Sequence, residues 1–324
     1  MSGKTIIVLA GNYPGEAFEK FQKYFKNDSR IEFRKVEDPE DYAAMSDAEY
    51  IILRTFHAEK DDILRNKNLK MINRWGVGFD SVDVKTAGQN GVYVCNTPGA
   101  NAYSVSELAV THMLVLTHNI LRHTFSMRQG IWSKQMYTEQ TTTLKNKLVG
   151  IVGGGNIGRQ VAAKVQAFGA TVQYYDVFRL PEEKEEEFRM TYVSLEELLR
   201  TSDVISLHVP LTEQNHHMIG AEQFAMMKNG AYLINTARGG LVDENALIDA
   251  IESGKLAGAG IDCVEQEPLS GESRLLTYPN IVVTPHVGAS SSDIADVMVP
   301  MIGANIIKCI ETGKPDYIVN SQYF

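Results

Sequence analysis

One stretch, Leu148-Val149-Gly150-Ile151-Val152-Gly153-Gly154-Gly155-Asn156-Ile157-Gly158, limits the folds open to this chain more than any other. An apolar run short enough to be a buried parallel strand leads straight into G-x-G-x-x-G, and Arg159 to Phe168 continue with apolar residues at helical spacing. Glycine allows the sharp turn, lets the backbone come close to a pyrophosphate, and lets the helix pack tightly on the strand. The first helical N–H groups then face the anion. A second apolar run, Ala170 to Tyr175, ends at Asp176, eighteen residues beyond Gly158, about where an acidic residue meets an adenosine ribose. The alternative is a tight glycine turn with no ligand. The agreement of strand, glycines, helix, second strand and acid weighs against it.

That strand begins about 148 residues into a chain of 324, so something else precedes the dinucleotide fold, and the length allows two domains. From Thr5 to about Val94, short apolar runs alternate with helix-compatible stretches: Ile6–Leu9, Ile31–Val36, Tyr50–Leu53, Met71–Trp75 and Val92–Val94 read as strands of a separate small α/β layer. The turn cluster Asn96-Thr97-Pro98-Gly99-Ala100-Asn101 marks a crossover into a long helical pattern from about Ala102 to Met127. Its apolar residues lie on more than one face, which implies burial by both domains or by a second subunit. His112, His118 and His123 on this pattern read as helix-surface or satisfied core histidines. Later strands are expected at Val204–Leu207, Ala231–Asn235, Ala257–Ile261 and Ile281–Thr284. The acidic run Pro181 to Glu187 reads as a solvated loop or helix end, and Ser290 to Ile310 as a closing helix interrupted or kinked at Pro300.

Charge narrows the partners. With 31 Lys and Arg against 40 Asp and Glu, the net charge of −9 argues against general binding of nucleic acid or anionic membrane, while a local basic site can still take a small anionic substrate. No segment reads as a signal peptide or a membrane span. Cys95, Cys263 and Cys309 fit neither a zinc pattern nor a disulfide framework and read as buried small apolar residues, for which a reducing cytoplasm is the simplest address. No metal site is expected.

In a parallel α/β sheet, ligands bind beyond the carboxyl ends of the strands. Arg238, Asp262, Glu267 and His286 all follow expected strands there. Singly, each has a plain structural alternative: a surface arginine, a loop carboxylate, a turn histidine. Together they match what hydride transfer at a carbinol carbon requires. A histidine titrating near neutrality moves the hydroxyl proton, a carboxylate beside it favours the imidazolium, and an arginine clamps a substrate carboxylate and polarises the carbonyl. In the first module, Arg54 and Arg74 read either as solvated strand-end arginines or as cations for an anionic substrate. Gly76 and Gly78 read as a turn or as exposed backbone N–H groups.

At these residues the chain resembles the D-isomer-specific 2-hydroxyacid dehydrogenase family. The matching segments are Gly76 to Asp83, Asn96 to Gly99, Gly153 to Gly158, His208 to Thr212, Asn235 to Asp243, Gly258 to Pro268 and Pro285 to Ala289, which span nearly the whole chain. The resemblance implies a Rossmann dinucleotide-binding domain, residues 101–287, inserted into a smaller flavodoxin-like α/β substrate domain made of residues 1–100 and 288–324. It implies that Arg238 binds substrate, His286 is the acid/base and Glu267 its partner. Gly153, Gly155, Asn156, Ile157, Gly158, Asp176, Val209, Pro210, Thr236, Ala237, Asp262 and Gly288 are implied along the dinucleotide, and Arg54, Arg74, Val77 and Gly78 at the substrate. A homodimer or higher homo-oligomer is expected.

Three departures stand out: Asn156 where many members carry arginine, Cys263-Val264 in place of a more usual Val-Phe, and no appended regulatory domain, so feedback control by an amino acid is not expected. Asp176 favours NAD, since a carboxylate there would repel a 2′-phosphate, although Arg179 nearby softens that preference. Arg54, Arg74 and Lys134 are placed like the basic residues of phosphoglycerate dehydrogenases, which makes D-3-phosphoglycerate the favoured substrate. Reduction of hydroxypyruvate, glyoxylate or another small 2-keto acid is the runner-up. From another class, an NADH-sensing binding protein resembling the family's corepressors remains an alternative.

Overall fold

The structure, a computed structural model, describes residues 4–324. They form two compact units, one running up to Asn101 and resuming over Ala289–Phe324, the other covering Ala102–Gly288.

In the first unit the strands β1 (Thr5–Ala10), β2 (Ile31–Val36), β3 (Tyr50–Leu53), β4 (Met71–Arg74) and β5 (Tyr93–Cys95) alternate with helices α1 (Ala17–Phe25), α2 (Pro39–Ala44), α3 (Lys60–Arg65) and α4 (Val84–Gln89). The sheet is wholly parallel in the order β2-β1-β3-β4-β5, the flavodoxin-like arrangement. Both faces are buried, and the period-2 alternation of β1 shows how. Ile7 and Leu9 join a core with Phe21, Phe25 and the long C-terminal helix Ile294–Thr312, while Val8 and Ala10 join the opposite core with Tyr42, Ile63 and Ala87. Local chemistry sets helix starts: the Asp38 side chain accepts from Glu40 N ahead of Pro39, and Asp83 accepts from Thr86 N.

The second unit opens with α5 (Ala102–Thr117) and α6 (Ile120–Arg128). Its sheet then forms from β6 (Leu148–Val152), α7 (Asn156–Ala167), β7 (Thr171–Tyr175), α8 (Glu182–Phe188), β8 (Met190–Tyr192), α9 (Leu195–Thr201), β9 (Val204–Leu207), α10 (Ala221–Met226), β10 (Ala231–Asn235), α11 (Glu244–Glu252), β11 (Leu256–Ile261) and β12 (Ile281–Val283). The parallel order β12-β11-β10-β9-β6-β7-β8 reverses between β6 and β9, the Rossmann arrangement. The C-terminal helix of the first unit is α12.

Four local expectations change. The long helix breaks into α5 and α6 because Asn119 adopts a left-handed backbone, φ 52°, and its amide side chain binds Gln140 O and Thr141 Oγ1 instead. The acidic run forms a helix, α8, with Glu182, Glu183 and Glu185 near its positive N-terminal end. The three-residue edge strand β8 carries too short a pattern to read from sequence. Finally, α12 runs on through Pro300, where both the proline and Asp296, whose carbonyl loses its helical donor, are exposed.

Candidate active site

Register is what assembles the site in the larger unit. Val152 pairs with Tyr175 on one side and Leu207 on the other, Leu207 with Asn235, Asn235 with Ile261, and Ile261 with Val283. The residues one step beyond, Gly153, Asp176, His208, Thr236, Asp262 and Thr284, therefore lie along one carboxyl edge.

At the switch point the glycine turn is shaped for close approach. Gly153 has φ +107°, and a side chain there would run into the His208 carbonyl; one at Gly158 would strike the Gly153 carbonyl. Gly155, Asn156 and Ile157 start α7, whose N-terminal N–H groups are a ready anion site. Asn156 Oδ1 accepts from Arg159 Nη2 at 2.7 Å. Asp176 accepts from Gly154 N at 2.8 Å and from Phe178 N at 3.0 Å, so it braces the glycine turn from the end of β7. Next along the edge, His208 bonds Ser206 Oγ at 2.8 Å, and burial pushes its pKa down to about 3, which keeps it neutral. Val209 and Pro210 come directly after it. Buried Thr236 Oγ1 lacks a partner among the described residues. A bare glycine cradle, a helix N-terminus and an unpartnered hydroxyl along one edge fit a dinucleotide.

The candidate reacting groups follow β10, β11 and β12. His286 Nδ1 donates to Glu267 Oε2 at 2.9 Å, with Oε1 at 3.1 Å. Its backbone is left-handed, φ 51°, and its N–H donates to Asp262 O at 2.8 Å. Asp262, 2% exposed, accepts from Thr284 Oγ1 at 2.6 Å and from the Val287 and Gly288 amides at 2.9 Å each, which fixes the loop that presents the imidazole. Cys263 and Glu267 raise the pKa of His286 to about 10, and the imidazolium and Arg238 hold that of Glu267 down. Arg238 leaves β10 through Thr236 and Ala237; its Nη1 donates to Ala237 O at 2.7 Å, and Asn235 Nδ2 holds the Arg238 carbonyl at 2.9 Å.

Two neighbours are not visible from sequence. Cys263 is buried as expected, yet it lies beside Glu267 and His286, with side-chain atoms of the three within 4.8 Å of one another. His112 on α5 is buried and sits 3.2 Å from Thr284 Oγ1. Because Thr284 gives its only proton to Asp262, His112 must donate from Nε2. Burial lowers its pKa, which favours the neutral ring. Neither contact leaves a sequence signal: His112 and Thr284 are 172 residues apart.

The first unit presents Arg54, Arg74, Val77 and Gly78 at its own carboxyl edge. Arg74 Nη1 donates to Leu53 O and Arg54 O, both at 2.9 Å, and Nε to Gly78 O at 3.1 Å. Asn96 Nδ2 holds Val77 O at 2.8 Å, and Thr97 exchanges hydrogen bonds with Gly76. Arg54 donates to Asn12 O at 2.5 Å and to Ser290 Oγ at 3.4 Å, and no ion pair among the described residues involves it. Burial of its charge lowers its pKa.

Comparison with known proteins finds relatives over most of the chain. The family model for the D-isomer specific 2-hydroxyacid dehydrogenase NAD binding domain matches residues 110–288. A hydroxypyruvate reductase of Thermotoga maritima is 41% identical, over 83% of this chain and 87% of its own. A D-3-phosphoglycerate dehydrogenase of Methanocaldococcus jannaschii is 37% identical over 85% of this chain and 52% of its own. The solved structure of a D-lactate dehydrogenase from Aquifex aeolicus, complexed with NAD and lactic acid, superposes with TM-score 0.81 at 29% identity, covering 95% of this chain and 96% of that one.

Proposed function

The chain belongs to the D-isomer-specific 2-hydroxyacid dehydrogenases, NAD-dependent oxidoreductases, and we propose that its substrate is a small unphosphorylated 2-keto acid such as hydroxypyruvate or glyoxylate. The observation that carries the chemistry is the His286–Glu267 pair at 2.9 Å beside Arg238. NAD(H), when bound, supplies or accepts the hydride at C2. With Nδ1 held by Glu267, Nε2 of His286 remains to give a proton to the substrate oxygen in reduction and to take it back in oxidation. Arg238 binds the carboxylate and polarises the carbonyl. Gly153, Gly155, Asn156, Ile157, Gly158, Asp176, Val209, Pro210, Thr236, Ala237, Asp262 and Gly288 hold the dinucleotide; Arg54, Arg74, Val77 and Gly78 contact substrate.

The preference for an unphosphorylated acid rests on Arg74, whose guanidinium bonds three main-chain carbonyls, and on the hydroxypyruvate reductase matched over most of its length. D-3-phosphoglycerate is the second reading, supported by Arg54, a half-buried cation whose desolvation an anionic group would offset. Purified protein assayed with NADH on hydroxypyruvate, glyoxylate and 3-phosphohydroxypyruvate decides between them. A higher kcat/KM on the phosphorylated acid reverses the order, and NADH binding without turnover on any 2-keto acid moves the chain to an NADH-sensing role.

The units named as substrate domain and cofactor domain carry those roles in this reading. We also infer a homodimer in the cytoplasm. Phe125, 64% exposed, and Trp132, 74% exposed, stand with Ile120, Leu121, Met127 and Ile131 on and just after α6, an apolar surface that a second copy would cover. Among the described residues no helix is long and apolar enough to cross a membrane. A monomer by light scattering at micromolar concentration would rule the dimer out.

A further inference from the structure

We propose that His216, His217 and Glu265 form a binding site for a divalent transition-metal ion of the zinc class, apart from the acid–base pair. The proposal rests on donor geometry and is independent of the substrate assigned above. His217 Nε2 lies 2.9 Å and His216 Nε2 3.3 Å from the same oxygen, Glu265 Oε1, and one donor atom from each residue lies within 4.8 Å of the others. A zinc ion with ligands at about 2.0–2.2 Å keeps tetrahedral donors roughly 3.4 Å apart, so small side-chain movements admit it. Two imidazoles and a carboxylate suit zinc, cobalt or nickel, and poorly suit magnesium or calcium.

Consecutive side chains ordinarily diverge. Here His217 adopts a left-handed backbone, φ 51°, uncommon outside glycine, and the two rings lie on one side with centroids 3.9 Å apart. Two neutral imidazoles would crowd both N–H groups onto one oxygen, whereas a cation would share its charge among all three donors.

The scaffold is fixed without the ion. His217 N donates to Gly240 O at 2.7 Å, and Ile219 N to Leu241 O at 3.0 Å, which ties the histidine segment to the turn after Arg238. That turn lies flat on the Glu265 segment, since any side chain at Gly239 would overlap the Val264 carbonyl. Glu265 N donates to Glu244 Oε1 at 2.8 Å. Glu265 stands two residues before Glu267, so an ion here would tie the loop carrying the partner of His286 to the 216–219 segment.

Cobalt titration of chelator-treated protein, with zinc calorimetry beside it, tests the site. The expected result is one ion per chain, ligand-field bands and no thiolate charge-transfer band. His216→Gln and Glu265→Gln should each weaken binding at least about tenfold, the low end of what outer partners of a metal are worth. His217→Asn, which tolerates the left-handed backbone, should do the same. Turnover of His216→Gln in chelator should equal that of the parent. Zinc should slow amide exchange over residues 263–267 in the parent and not in His216→Gln. Absence of saturable zinc binding would overturn the proposal. So would binding that survives all three substitutions, shows a thiolate band and disappears in Cys263→Ser, because the ion would then sit on Cys263, Glu267 and His286.

Discussion

Both sheets present polar residues at the carboxyl ends of parallel strands, but the two edges use them differently. In the smaller unit the strand-end cation Arg74 bonds the carbonyls of Leu53, Arg54 and Gly78, and Asn96 and Thr97 hold the 76–77 turn, so much of that edge's polar capacity braces its own loops. In the larger unit the bracing falls to buried Asp262 and His112 with partly buried Thr284 between them, while the His286 and Glu267 side chains stay half exposed and paired with each other. An edge whose supports are buried can hold its reactive groups in place and leave them open to a ligand.

The largest expected break is His286→Ala, which should lower turnover by about 10²–10⁴-fold with NADH affinity retained, as read by stopped-flow and fluorescence titration. Asp262→Ala removes the acceptor of Thr284, Val287 and Gly288 and should cost on the order of 3 kcal/mol in denaturant unfolding as well as turnover. Loss of turnover with full stability would show that Asp262 does not brace the loop.

The next effect is on pH dependence. His286 has a folded-state pKa raised from 6.5 to about 10, so its contribution to stability is complete below 6.5 and is lost as pH rises through about 10. Glu267 is held below 4.5, so its contribution is present above that value and lost as pH falls. Keto-acid reduction, which in the proposed mechanism draws its proton from the imidazolium, should hold through neutral pH and fall towards pH 10. Glu267→Gln should move that fall to lower pH, and an unmoved profile would separate the pair. Cys263→Val should move it in the same direction. In the smaller unit, Arg54→Met should impair a phosphorylated acid selectively; equal losses on phosphorylated and plain acids would remove the phosphate reading and sharpen the contrast between the edges. Its effect on hydroxypyruvate should be the smallest of the series.

The sequence by itself determined the α/β class, the glycine turn after β6 and most strands, because an apolar run, a turn residue and a helix start are written within a dozen neighbouring residues. Strand-end position also singled out Glu267 and His286, which the fold brings to 2.9 Å. Tertiary structure decided what no local pattern contains. It set His112 against Thr284, turned Cys263 towards His286, committed Arg74 to main-chain carbonyls, and brought His216 and His217 to Glu265. The physical reason is register: which side chains meet depends on the pairing of strands distant in sequence and on the loops that leave them. A single backbone angle, as at Asn119 or His217, redirects the chain beyond it.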